Sequence, residues 1–387
     1  MNQLEEYFYT VKSEESKKTY EEYFRYFESF CKMTVTKFLK LPQSKLQDLM
    51  IKYIIHMRDR KLSSSSIKGR LTPIFSILEL NDILVNKKRV MKYVGESKKT
   101  VKDLAYTTED IEKMVSICKP RTRLIILTYS STGIRRSALL EIKLKHLEKI
   151  EEYGIYRFTI YENSKEEYTT YCTPETAAAI DQHIQYRKDA GEDINRESWL
   201  IRNDFDPHNE YSVKHPKQTS GININTIIRN VLIKVGLRSI NQPQSLRNEK
   251  STIHAFRKFA TTQFVNSSLN PEIREMLLGH SIGLTGVYYR PSEQVKLNEY
   301  LKAVDMLTID PTFRLKRKIK VLEGREKEIK LMKIKHEEEI EGLRQQLVSN
   351  LEIMARAMGE RDALMEKYSK VKPKMVNFNL NQLKNKP

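Results

Sequence analysis

The chain has few cysteines, no long apolar run and no surplus of acid. Its three cysteines, Cys31, Cys118 and Cys172, are scattered through 387 residues. An odd, dispersed set with no CxxC pair offers neither a disulfide framework nor a thiolate zinc site. The expectation is reduced, structural thiols in a reducing compartment, with Cys118 and Cys172 buried. No stretch reaches the roughly 18–20 apolar residues that a membrane-spanning helix requires. The N-terminal MNQLEEYFYT has neither the basic start nor the apolar centre of a secretory leader. These absences predict a soluble cytoplasmic protein with no membrane partner.

Positive charge is what the chain holds in excess. Lys and Arg number 68 against 50 Asp and Glu, a formal charge of +18 with a pI near 9.5. Such a surplus favours a polyanion, and nucleic acid leads once the membrane is set aside. A nucleoid-associated location follows if that polyanion is DNA. The length suffices for two or three domains, each with its own core.

The pattern predicts a mainly α chain with a small β-sheet (α+β). Residues 1–96 read as a basic helical bundle. Tyr20, Tyr23, Phe24, Phe27 and Phe30 fall on one helical face. Ile51 to Met57 belongs to a second helix. The serines at 63–66 cap a third, in which Pro73 is expected in the first turns or at a bend. Residues 97–106 read as a linker. A domain over 107–310 opens with Thr107-Thr108-Glu109-Asp110, hydroxyls and acids suited to a helix start. Within it, an apolar helix over 124–129 runs into Thr132-Gly133. YRFTIY (156–161) and YTTYC (168–172) read as strands around a charged hairpin, and Pro174-Glu175 opens a further helix. The polar stretch 192–248 has no clear period. Apolar residues at 315, 319, 322, 329, 340, 343, 347 and 354 predict a long amphipathic helix over 311–369, as a coiled coil or a single docked helix. Polar residues interrupt that seam at Glu326, Lys333, His336 and Asn350. Residues 370–387 read as a polar tail.

One set of residues carries chemistry. Arg135 follows a Thr-Gly turn, His254 and Arg257 share a helix face, and His280 follows Leu278-Gly279. Tyr289 lies nine residues further on, beside Tyr288, and Lys165 sits in the hairpin. Attack on a phosphodiester needs cations at the non-bridging oxygens, a hydroxyl nucleophile and an acid for the leaving oxygen. Arginine forks, histidines, a tyrosine and a lysine supply each part. Each fragment alone is ordinary. Thr-Gly-x-Arg often begins a helix, His-x-x-Arg is usually a solvated face, and Leu-Gly-His often ends a helix. Their order and spacing in a basic chain point to phosphoryl chemistry. The aromatic cluster at 20–30 reads as core, and the basic run 314–320 reads either as a DNA contact or as a solvated helix face.

Thr132-Gly133-Ile134-Arg135-Arg136-Ser137, His254-Ala255-Phe256-Arg257 and Leu278-Gly279-His280-Ser281, with the tyrosine that follows, resemble the tyrosine recombinase (phage integrase) family over about 106–291. Tyr288-Tyr289-Arg290-Pro291 and Thr173-Pro174-Glu175 look most like archaeal members. The resemblance implies a helical core-binding domain and a catalytic domain that clamp double-stranded DNA. It also implies a four-protomer synapse, a covalent 3′-phosphotyrosyl intermediate, and no metal, nucleotide cofactor or small-molecule substrate. By position it gives Arg135 and Arg257 the scissile phosphate, His254 proton transfer, His280 transition-state stabilisation and Tyr289 the attack, with Tyr288 as the alternative nucleophile. Lys165 is the hairpin lysine, although a gapless match falls nearer Glu162. The acid usual three residues after the first arginine is Ala138 here, with Glu141 as a possible substitute. The expected activity is site-specific recombination for a virus or mobile element. Alternatives are a silent DNA-binding factor of the same fold, or type IB topoisomerase or telomere-resolvase chemistry.

Overall fold

The computed structural model describes residues 3–96, 102–240, 248–283 and 285–358. Part of the expected linker, the end of the expected long helix and the whole polar tail lie outside the described residues. The chain divides into two units, Met1–Lys102 and Asp103–Pro387.

Unit 1 holds α1 (Gln3–Thr10), α2 (Glu14–Cys31), α3 (Val35–Leu39), α4 (Gln43–Asp59), α5 (Ser64–Leu80) and α6 (Lys87–Lys92). Ser13 and Ser63 cap α2 and α5 by accepting from the backbone amides of Ser16 and Ser66. The apolar faces of α2, α4 and α5 meet around Phe24, Phe27, Met50, Ile54, Leu71 and Ile74. Phe27 packs edge-on against Phe38 with ring centres 4.8 Å apart. Pro73 lies in the interior of α5 rather than in its first turns. Its ring is buried in the core, so packing outweighs the lost amide hydrogen bond.

Unit 2 is built around α8 (Pro120–Thr132), which follows α7 (Thr108–Ser116). Thr107 and Asp110 form a reciprocal capping box on α7. α8 is buried on all sides from Leu124 to Thr132, which is why it has no amphipathic stripe. Its hydroxyls are satisfied internally: Thr128, Ser130, Ser131 and Thr132 each donate to the carbonyl four residues back. After α9 (Arg136–Glu141) comes a three-stranded antiparallel sheet in order β1 (Leu147–Ile150), β2 (Ile155–Ile160), β3 (Tyr168–Tyr171). Ile150 faces Ile155, and Ile160 faces Tyr168. β1 was not legible in the sequence. It is four residues long with an exposed centre, so it carries no alternation to read.

α10 (Pro174–Asp189), α11 (Glu210–Lys214) and α12 (Gly221–Lys234) follow. The unreadable stretch after α10 is organised by a buried carboxylate. Glu192 accepts from Arg187 at 2.5 Å and from Arg202 at 2.7 Å, all three groups being buried. α13 (His254–Asn266), α14 (Pro271–Leu277), α15 (Thr285–Tyr288) and α16 (Glu293–Leu307) complete the body. α10, α13 and α16 all pack on α8. α17 (Pro311–Met358) then extends for 48 residues. The basic run at its start is neither wholly solvated nor wholly available to DNA: Arg314, Arg317 and Lys320 bind Ile309 O, Asp305 and Glu152 O of the same unit. Cys172 is buried as expected, whereas Cys118 is half-buried at the edge of the core. Among the described residues no helix is long and apolar enough to cross a membrane.

Candidate active site

Two glycines bring the site together. Gly133 ends α8 with φ +64°, and a β-carbon there would stand 2.9 Å from Leu278 Cδ2. Gly279 ends the turn after α14 with φ +65°, and its β-carbon would lie 2.3 Å from the Tyr168 ring. Both positions combine a left-handed backbone with close approach, which only glycine tolerates. The consequence is that the ends of α8 and α14 and the start of β3 converge on one spot.

Arg257 occupies the centre and is 7% exposed. Its Nη1 donates to Gly133 O at 2.7 Å and its Nη2 to Leu278 O at 2.6 Å. Arg135, at the head of α9, donates through Nη2 to Gly279 O at 2.9 Å. The two guanidinium groups are thus anchored to consecutive carbonyls of one turn. Nη1 of Arg135 is buried and has no hydrogen-bond partner among the described residues. A phosphate oxygen would satisfy that donor. Burial lowers the Arg257 pKa from its ordinary value, but arginine starts so high that the group stays charged.

His280 stands beside them, with Nε2 2.7 Å from Arg257 Nη2. Its Nδ1 lies 2.6 Å from Glu275 Oε2. A carboxylate at Nδ1 and a guanidinium N–H at Nε2 together select the Nδ1–H tautomer. Burial pushes the Glu275 carboxyl up, but hydrogen bonds from His280 and Arg274 outweigh it and hold the pKa below the ordinary value. His254, the first residue of α13, lines a cleft of about 590 Å³ together with Arg135, Arg257 and His280. Lys165 is exposed on the hairpin and lines an adjoining cleft of about 560 Å³ that shares Arg135 and His280.

Five of the six expected residues therefore border two connected clefts. The tyrosines do not. Tyr289 is partly buried against the apolar core, Tyr288 is 87% exposed, and neither lines either cleft. Ala138 is buried in the core and Glu141 is exposed at the end of α9.

Two residues emerge that the sequence did not single out. Glu275 holds His280, and its position one helical turn before the Leu-Gly turn was the available signal. Tyr168 lies under Gly279, and its hydroxyl is buried without a well-formed hydrogen bond. Burial pushes its pKa up to about 12, against the pull of the Arg257 and Arg135 charges. Nothing in YTTYC distinguishes it from any half-buried strand tyrosine.

Residues 105–294 match the phage integrase family. Comparison by sequence with curated proteins finds no match. Among solved structures, the chain is similar to the Tn1549 transposon integrase in complex with a circular intermediate DNA. That match has TM-score 0.54 and 15% identity, over 78% of this chain and 99% of that one. The same integrase in complex with transposon right end DNA gives TM-score 0.52 and 14% identity, over the same shares. At these identities the likeness concerns the fold: mainly helical, with a small antiparallel sheet and the integrase catalytic architecture.

Proposed function

On the match of residues 105–294 to the phage integrase family, we propose that this chain is a site-specific DNA strand transferase serving a virus or mobile element. One observation carries the reading. Two guanidinium groups and an imidazole, from segments far apart in sequence, line one cleft, and among the described residues one buried N–H of Arg135 there has no partner.

In this reading Arg135 and Arg257 take the non-bridging oxygens of a scissile phosphate and stabilise the charge that builds there. The phenolic oxygen of Tyr289 attacks phosphorus. The phosphorus–tyrosine bond forms as the bond to the 5′ oxygen breaks, leaving a 3′-phosphotyrosyl ester. His254 receives the phenolic proton, Lys165 protonates the leaving 5′ oxygen, and His280, whose Nε2 accepts from Arg257, holds that guanidinium against the charge that builds on the non-bridging oxygens. Unit 1 serves as the core-binding domain, and the working assembly is a tetramer on duplex DNA. The basic surplus supplies the phosphate contacts. The Tyr288-Tyr289-Arg290-Pro291 ending supports an archaeal-type member.

The packing of Tyr289 against the core favours a second reading, a DNA-binding factor of the same fold without strand transfer. Under the first reading, docking on DNA carries the segment around α15 toward the cleft. A suicide substrate with a nick beside the scissile phosphate separates the two. A covalent protein–DNA adduct, abolished in Tyr289→Phe and kept in Tyr288→Phe, supports strand transfer. Specific binding with no adduct supports the second reading.

A further inference from the structure

α17 leaves the body of unit 2 as a bare rod, and its side is not polar. Along the seam from Leu315 to Met354, the apolar side chains are 40–62% exposed. Counted with the polar positions Glu326, Lys333, His336 and Asn350, the seam runs at alternating steps of four and three, the period of a coiled coil. The first turns of the helix do touch the body, but from the other side. Phe313, Arg314 and Arg317 are the partly covered residues there, with contacts from Arg314, Arg317 and Lys320. With Leu315 and Ile319 as the d and a positions of a heptad, those contacts fall at b, c and f. Among the described residues, nothing from the body of unit 2 covers the seam. A stripe this long is unfavourable in water without a partner.

The charges indicate which partner. Residues 314–335 carry ten basic and three acidic side chains, while 336–354 carry five acidic and one basic. One half of the rod complements the other half. The interruptions of the seam follow the same logic. In a parallel pair each position would face itself, setting Glu326 against Glu326 and Lys333 against Lys333 in the buried seam, and Arg325 beside Lys330 at its flank. In an antiparallel pair the seam positions are related about their midpoint, and Ile319 faces Asn350 of the partner subunit. Leu322 then faces Leu347 of the partner subunit, Ile329 faces Ile340 of the partner subunit, and Leu315 faces Met354 of the partner subunit. Glu326 meets Leu343 of the partner subunit, along which its stem can lie while the carboxylate reaches water. Lys333 meets an imidazole, that of His336 of the partner subunit, instead of a second ammonium. At the flanks Lys330 falls beside Glu337 of the partner subunit, and Glu323 beside Arg344 of the partner subunit.

We infer that α17 is a dimerisation element whose occupant is a second copy of this chain, joined as an antiparallel two-stranded coiled coil in that register. The rod then holds two catalytic units at opposite ends, roughly 60 Å apart at 1.5 Å per residue. The strand-transfer reading is not needed for this inference.

The test uses the full chain without DNA, in a Cys31→Ser, Cys118→Ser background. Leu322→Cys and Leu347→Cys proteins are prepared separately and as a mixture after subunit exchange, then oxidised. The mixture is expected to give a disulfide-linked species of twice the 45.6 kDa chain mass, while neither protein cross-links alone. Self-cross-linking of either one would overturn the antiparallel register. In sedimentation equilibrium, Lys330→Glu should raise the dimer dissociation constant about tenfold, because symmetry repeats the altered contact. Adding Glu337→Lys should restore it. A wild-type chain that stays monomeric at its solubility limit, or a double variant no better than the single, would also overturn the proposal. Both assays omit DNA, so their failure is distinct from a missing covalent adduct.

Discussion

Replacing Gly279 by alanine tests the geometry that assembles the site. Two costs arise at this position. Alanine at φ +65° is strained by about 1 kcal/mol. The new methyl would stand 2.3 Å from Tyr168 Cε1, so the ring must move; overpacking of this kind costs about 1–3 kcal/mol. Together these give roughly 2–4 kcal/mol. Gly191 is the internal control, since it has φ +89° but nothing within 4 Å of a β-carbon. Gly191→Ala should therefore cost only the backbone part, about 1 kcal/mol. Trp199 is the sole tryptophan and lies in unit 2 beside the buried arginines. Its fluorescence during urea unfolding reports that unit. Tyr168→Ala combined with Gly279→Ala should remove the clash, with a coupling of about 1–3 kcal/mol in the double-mutant cycle. If Gly279→Ala were no worse than Gly191→Ala, the close approach of Gly279 to Tyr168 would be refuted.

Arg257→Ala should cut covalent adduct formation at least about 100-fold, because it removes a preorganised donor from developing phosphate charge. Specific DNA binding, measured by gel shift, should fall far less; near-normal cleavage would count against the site. Glu275→Gln keeps the shape of the contact to His280 but loses its charge. Cleavage is expected to fall about tenfold, in line with the worth of a charged hydrogen bond, and an unchanged rate would make Glu275 merely structural. His183 is buried, and desolvation with the nearby Arg187 and Arg121 charges lowers its pKa to about 3. The unfolded chain takes up this proton near pH 6.5, while the folded chain does not until about pH 3. Stability should thus fall as pH drops through that window, by about 1.4 kcal/mol per pH unit from this group. Urea titrations from pH 6.5 to 4 should show a shallower slope for His183→Gln, and an equal slope would sink the assignment.

How much was legible varied with the kind of signal. Phe24, Phe27 and their neighbours could be placed because one buried helix face imposes a period on the sequence. Thr107 and Asp110 could be placed because a capping box is local chemistry within four residues. β1 and α12 were missed, the first for want of length and the second amid loop-like polar neighbours. α8 was recognised only by its apolar content, since burial on every side erases the stripe that a surface helix shows. The four-residue spacing from Arg187 to the Gly191 turn gave no hint that Glu192 would face two arginines.

The sequence by itself determined the basic character, the helical bias, the order of the Arg135, His254, Arg257 and His280 motifs, and the interrupted apolar seam of α17. These are written in residue type and local period. Only the tertiary structure decided that Arg135 and Arg257 hang from the consecutive carbonyls of Leu278 and Gly279, that Glu275 orients His280, and that Tyr289 packs away from the cleft. Such contacts join segments far apart along the chain, and packing, which no local pattern encodes, sets their distances.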